Sequence, residues 1–384
     1  MMNYKKYCTG CGLCKALNGI ELKKDSKGFW HPTESFELSN RICPISGVHT
    51  SNLDYTDIWG RNKAVYLGWS NDTVLRNKAS SGGIISEVAC YLLLSKKVDE
   101  IIHVGVDLTC PTKTTVYFSK TPDDVVSHCG SRYCISSPLS ELNRLEKGKK
   151  YAFIGKPCDV VALRNYMVLK PELNDNIPYL LSFFCMGLPS DDAQIKLLYQ
   201  LKCEDCASLD YRGNGWPGYA TAIDKKGFKH EITYNESWGK ILGRDLMPAC
   251  RFCIDGIGEM ADIACGDAWF LTKDNKPDFS EHKGRNVIFS RTDKGEKLLQ
   301  EMFLQKLISL RTYNNYKEEL PLIQTSQWNR RREMSVRILA MKLLLQDYPS
   351  YNKKVLKQFS KGLSRKQNIK ILFGTVKRIV NGKI

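Results

Sequence analysis

The spacing of three cysteines near the start of the chain limits what it can fold into more than any other short stretch. In "YCTGCGLC", Cys8, Cys11 and Cys14 stand at C-x2-C-x2-C, a run that closes three thiolates around one iron–sulfur cube. A bacterial ferredoxin would continue x3-C-P, but positions 18 and 19 are Asn18 and Gly19. In two-cluster ferredoxins the fourth cysteine of each run serves the other cube, so the missing ligand belongs to a later C-P pair. "RICPISG" contains one, Cys43 followed by Pro44. Residues 1–50 therefore read as a ferredoxin-type module with one [4Fe-4S] cluster on Cys8, Cys11, Cys14 and Cys43. The competing reading is structural zinc on the same thiolates, although zinc sites usually present two separated C-x2-C knuckles.

A chain of 384 residues is too long for that module alone and predicts two or three domains. Fifteen cysteines with no signal-peptide h-region favour metal ligation or redox chemistry over disulfides. They place the protein in a reducing cytoplasm, and no apolar run approaches the length of a membrane span. The charge is confined. Between Arg330 and Ile384 there are fifteen Lys and Arg against two acids, so +13 of the total +16 sits there. The remainder is nearly balanced, which argues against nucleic acid as the partner of the whole protein.

From about 80 to 201 strand and helix patterns alternate. "EIIHVGVD" and "KTTVYFS" read as strands, "SSPLSELNRLEKG" (136–148) as a helix capped by Ser137, and "KYAFIG" as a strand before the helix "PCDVVALRNYM". Alternation of this kind predicts an α/β fold with a mixed, mostly parallel sheet covered by helices. "SNLDYTDIWGRNK" (51–63) reads as a polar linker, and the chain beyond 203 as short strands and turns.

Cys158 follows the strand "YAFIG" at a helix start, and Cys185 ends the strand "LLSFF". Both thiols thus emerge at the carboxyl edge of the sheet, where open α/β sheets bind ligands. "ACRFCID" adds Cys250 and Cys253, which would complete four thiolates. The plainer reading is that Cys158 and Cys185 are buried core thiols. "ASSGG" (79–83) offers small residues at a helix start, suited to a phosphate but equally to simple capping. No G-x-G-x-x-G or Walker motif is present. Cys203 and Cys206 read as surface or helix-packing cysteines, and Cys90, Cys110, Cys129, Cys134 and Cys265 as structural.

"RNKASSGGIISEVA", "CGSRYCISS", "AFIGKPCDVVALRNY", "FFCMGLPS", "DYRGNGWPG" and "CRFCIDGIGEMADIACGDAW" occur in that order. Together they resemble the coenzyme F420 hydrogenase/dehydrogenase beta-subunit family, with a further resemblance to members from polysaccharide gene clusters. The resemblance divides the chain into the 1–50 module, a flavin-binding part over 60–145, a second iron–sulfur part over 146–310 and a basic helical tail over 329–384. It implies FAD and two [4Fe-4S] clusters, the second on Cys158, Cys185, Cys250 and Cys253. It places the flavin at Ser80, Ser81, Gly82, Gly83, Ser131, Arg132, Tyr133 and Lys156. Arg132 and Lys156 are the implied catalytic residues, Arg132 by stabilising a reduced anionic flavin, with a structural arginine as the alternative. Asp267 and Trp269 either line the site or, for Trp269, belong to the core. Electrons from a ferredoxin or partner redox subunit would reach a hydride acceptor, either the deazaflavin coenzyme F420 or an organic substrate such as a lipid-linked sugar. The alternatives are a non-catalytic electron-transfer subunit and, further off, a zinc-stabilised nucleic-acid binder.

In the tail, apolar residues at 356, 359, 363, 369, 372, 373, 376 and 380 recur at helical spacing among lysines and arginines. That pattern suits a helix lying at the inner face of an anionic membrane. It suits equally a helix packed on the protein with a solvated cationic face, or a dock for an acidic ferredoxin.

Overall fold

The computed structural model describes residues 4–34, 37–47 and 56–382. The alternating segments build one eight-stranded sheet: β1 (Ala64–Ser70), β2 (Glu100–Asp107), β3 (Cys110–Ser119), β4 (Tyr151–Gly155), β5 (Tyr179–Phe183), β6 (Ile263–Asp267), β7 (Asn286–Ser290) and β8 (Ile308–Thr312). Their spatial order is β8-β1-β7-β6-β5-β4-β2-β3. The middle strands β2, β4, β5 and β6 pair in parallel. Antiparallel strands flank them on both sides.

The period of two along each strand sorts the core into two layers. Ala152 and Leu181 face one side with Ile263 and Ile288, under helix α1 (Ile84–Leu94). Phe153 and Leu180 face the other, under helix α2 (Pro157–Leu169), which buries Val160, Leu163 and Met167. Strands buried on both faces have to be apolar throughout, which is why "YAFIG" carries no polar alternation. One sheet draws strands from both 60–145 and 146–310, so the boundary expected at 145 runs through a single core.

Three expectations change. The segment 136–148 forms a 3-10 helix, Pro138–Arg144, with no cap from the Ser137 side chain. Its start is drawn onto the N-terminal module instead: Ser137 Oγ donates to the Gly10 carbonyl at 2.7 Å and Leu139 N–H to the Cys11 carbonyl at 2.9 Å. The linker expected over 51–63 lies partly outside the described residues. Where it is described it is not solvated throughout, since Trp59 is 1% exposed and stacks on Trp328 and Phe184.

The tail is the third. It begins inside helix α3 (Thr325–Leu343) and continues as α4 (Lys353–Phe359) and α5 (Arg365–Val380). Leu356 and Phe359 pack with Phe252, Met334 and Ile338 in a core cluster, so the apolar stripe divides between two helices. Arg331 of α3 is buried against Glu259 at 2.9 Å. Tyr7 Oη donates to the Asp347 carbonyl at 2.6 Å and Tyr351 Oη to that of Phe252 at 2.6 Å. The tail thus clamps the N-terminal module to the domain.

Candidate functional site

Cys8, Cys11, Cys14 and Cys43 line one cavity, walled by Leu13, Ile42 and Ile45. The short helix Leu13–Asn18 presents Cys14, and Cys43 stands between the turn Ser39–Ile42 and the 3-10 turn Pro44–Ser46. Gly12 has to be glycine. Its φ is +87°, and a Cβ there would lie 2.8 Å from the Ser140 backbone. Gly10 N–H donates to Cys8 Sγ at 3.3 Å. Burial pushes the Cys8 thiol up to about 12 and raises Cys11, Cys14 and Cys43 as well. At Cys43 the neighbouring charges of Cys11, Cys8 and Cys14 add to burial. Thiolates crowded in an apolar pocket are costly alone and become the stable form when a metal supplies positive charge.

The second set converges from three directions. β4 ends at Gly155 and α2 begins at Pro157, which puts Cys158 in its first turn. Cys185 follows β5, fixed by its N–H to the Gly256 carbonyl at 2.9 Å. Cys250 lies in the short helix Pro248–Arg251, its Sγ accepting from Leu188 N–H at 3.3 Å, and Cys253 follows. All four line one cavity with Arg330. Burial raises each of these thiols, Cys185 to about 11 and Cys253 to about 12, while Arg330 pulls Cys185, Cys250 and Cys253 back down. Arg330 comes from α3 and donates to the carbonyls of Cys185 and Met186, the latter at 2.8 Å. Nothing in its sequence neighbourhood pointed to it. Among the described residues no three His, Cys, Asp or Glu side chains meet closely enough to hold a single ion.

The third space is a cleft of about 280 Å³ at the carboxyl edge of the sheet, against about 40 and 30 Å³ for the two cysteine cavities. Ser80, Ser81, Gly83, Ser131, Arg132, Tyr133 and Lys156 line it, with Arg212, Asp267 and Asn286. Gly82 does not. A Cβ there would meet Asn286 Oδ1 at 2.6 Å, so its part is close packing beneath the wall. Helix α1 starts at this wall, with Gly83 in the left-handed region, and helix starts favour anions. The serine hydroxyls are already engaged: Ser80 Oγ accepts from Ser131 N–H, and Ser81 Oγ donates to the Arg285 carbonyl at 3.0 Å. What the segment still offers a ligand is the polarity of the α1 start.

Arg132 departs most from expectation. Its guanidinium donates to the carbonyls of Leu209 (2.8 Å), Lys113 (3.1 Å) and Pro111 and sits over the Tyr211 ring. It is built into the wall, and the structural reading of this arginine is the one its contacts favour. Trp269 stacks on Trp216 at 4.7 Å in the core, whereas Asp267 faces the cleft and pairs with Arg212 at 2.7 Å. Cys203 is 1% exposed, so the surface reading fails for Cys203.

Lys156 is buried, 2.8 Å from Asp159 and 2.9 Å from Ser136 Oγ. Burial alone would lower its pKa, but the Asp159 carboxylate outweighs that and holds it above the ordinary lysine range. Its ammonium is a fixed positive charge. It also lies in a shared wall: Lys156, Cys185, Gly187 and Leu188 line both the second cysteine cavity and the cleft. Thr9 lines both cysteine cavities. The three spaces therefore adjoin in series.

At the far end of the cleft His103 is buried and bonded to Ser119 Oγ at 2.7 Å. Burial, then the neighbouring His128, lowers its pKa to about 4. Its unfolded value is about 6.5, so the unfolded chain takes up the proton first and stability falls as pH drops below about 6.5. Denaturant titration at pH 7 and pH 5 is expected to show a loss from this residue of about 2 kcal/mol. His103→Gln should lack that increment, and an unchanged pH slope in the variant would refute the assignment.

Family models for the coenzyme F420 hydrogenase/dehydrogenase beta subunit match residues 65–143 (N-term) and 148–315 (C terminus). The chain belongs to this family. It is 24% identical over 274 residues to the coenzyme F420 hydrogenase subunit beta of Methanococcus voltae, covering 69% of this chain and 90% of that one. It is 26% identical to the F420-dependent formate dehydrogenase subunit beta of Methanocaldococcus jannaschii, covering 62% of this chain and 59% of the relative. It is 24% identical to the chloroplastic 7-hydroxymethyl chlorophyll a reductase of Oryza sativa, over 77% and 61%. A chain in the F420-reducing [NiFe] hydrogenase complex of Methanosarcina barkeri superposes with a TM-score of 0.57 at 18% identity, covering 76% of this chain and 97% of its own length. That likeness concerns the fold. These relatives support an oxidoreductase-type redox role for the chain. Among the described residues no helix is long and apolar enough to cross a membrane.

Proposed function

We propose that this chain is an iron–sulfur flavoprotein that carries electrons between a ferredoxin-like or subunit partner and a hydride acceptor. The observation that supports it most is the serial adjacency of the three spaces, through Thr9 and then through Lys156 and Cys185. Cys8, Cys11, Cys14 and Cys43 would hold one [4Fe-4S] cluster, and Cys158, Cys185, Cys250 and Cys253 a second. The cleft would hold FAD, with Lys156 and the start of α1 facing its anionic parts and Ser131 and Tyr133 on the wall. A bound flavin converts between one-electron and hydride chemistry.

The chain's own residues supply orientation and charge. Lys156 keeps one positive charge between the second thiol set and the cleft, offsetting negative charge on either side. Arg330 adds a second positive charge to the thiol set alone, from the tail side. Asp267, held by both nitrogens of Arg212, fixes the opposite wall. The names of those relatives support deazaflavin or another conjugated organic molecule as the acceptor class proposed for this cleft.

Anaerobic purification should give about eight irons, an equal amount of sulfide and one FAD per chain, taking four irons per cube. Zinc in place of iron would overturn the reading, and absence of flavin after reconstitution would remove the hydride step. Because several relatives are subunits of complexes, a wiring role is the second reading. Reduction of an added deazaflavin by the reduced chain alone separates the two.

A further inference from the structure

Among the described residues, helix α5 has one face without a protein partner. Its packed side carries buried Thr375 with Ile371, Leu372 and Ile379 half-buried. Turned away from that side, Ile369 is 55%, Phe373 68% and Val380 74% exposed. Their spacing of i, i+4 and i+11 makes one stripe. Lys366, Lys370 and Lys377 stand exposed along its edge, and α5 contains no acidic residue. A hydrophobic stripe bordered by lysines is costly in water, and the local excess of positive charge selects a negative surface. Helix α3, against which α5 packs, adds exposed Leu339, Lys342 and Leu343.

We propose that α5 docks the protein reversibly on an anionic lipid surface, with Ile369, Phe373 and Val380 entering the headgroup boundary and the lysines facing lipid phosphates or carboxylates. The geometry is that of an interfacial helix lying in the membrane plane. Its packed face stays on the protein, so docking needs no unfolding of the tail. The occupant is assigned as lipid because the charge is uniform along the helix and the apolar strip is narrow. A helix-binding protein groove would contact a wider face.

Flotation of the full chain with neutral phosphatidylcholine vesicles, and with vesicles containing phosphatidylglycerol, tests this. Binding to the anionic vesicles is expected to exceed that to neutral ones by tenfold or more and to weaken with added salt. Replacing Lys366, Lys370 and Lys377 by glutamine should weaken it roughly fivefold per lysine. Phe373→Ser with Ile369→Ser should abolish it while the iron content stays that of the parent. No preference for anionic vesicles, or equal binding by parent and apolar variant, would overturn the proposal. So would loss of a self-associated state in the Phe373→Ser, Ile369→Ser variant with lipid binding unchanged, which would make the occupant a second copy of the chain. These readouts do not depend on flavin or turnover, so they separate from failure of the redox reading.

Discussion

Cys250→Ser is expected to take the iron content from about eight to about four per chain, and to disconnect the cleft from electrons supplied at the N-terminal module. Cys250 is half-buried and lines one cavity with Cys158, Cys185 and Cys253. A serine oxygen in that pocket is a poor ligand for iron, and the other three thiols, each raised by burial, would return to the protonated form. Cys11→Ser should remove the other half of the iron and leave the second set intact. Cys265→Ser is the control, since that thiol is buried in β6 outside both cysteine cavities. Iron and sulfide analysis with electron paramagnetic resonance of the reduced samples reads the result. Unchanged iron in Cys250→Ser, or a loss in Cys265→Ser, would sink the ligand assignment.

Lys156→Met carries the second large effect. Removing the ammonium leaves Asp159, with no solvent exposure, as an uncompensated buried carboxylate. Breaking a buried pair from one side costs about 3–5 kcal/mol. The double variant Lys156→Met, Asp159→Asn should recover most of that stability, because neither charge then remains. Flavin binding should not recover with it, because the positive charge in the wall of the cleft is gone. Chemical denaturation and flavin titration of both variants give the two readouts. Recovery of flavin affinity in the double variant would show that Lys156 acts only as a partner of Asp159.

The parts of the protein that were legible in its sequence are those set by local geometry. Ligand spacing in "CTGCGLC" reflects one tight turn and one short helix, so the grouping of Cys8, Cys11 and Cys14 is written in neighbouring positions. The strands at 100–107 and 151–155 were legible because burial on one or both faces dictates the order of apolar residues. Cys158 and Cys185 could be placed at one edge because both follow strands of the same sheet. The 136–148 segment misled for the opposite reason: its helix signals were sound, and hydrogen bonds to Gly10 and Cys11, more than 120 residues away, outweighed them.

Sequence alone thus determined the α/β class, the grouping of Cys8, Cys11 and Cys14 and the confinement of charge to the tail, since spacing, periodicity and composition are properties of the chain itself. Tertiary structure decided what those features face. It put Thr9 between the two thiol cavities and Lys156 between the second cavity and the cleft. It turned Arg132 into wall and brought Arg330 from the tail to the second thiol set. It divided the tail's apolar residues into a buried group at Leu356 and Phe359 and an exposed stripe on α5. Each of those outcomes depends on contacts between segments far apart in sequence, and such contacts leave no periodic trace in either partner.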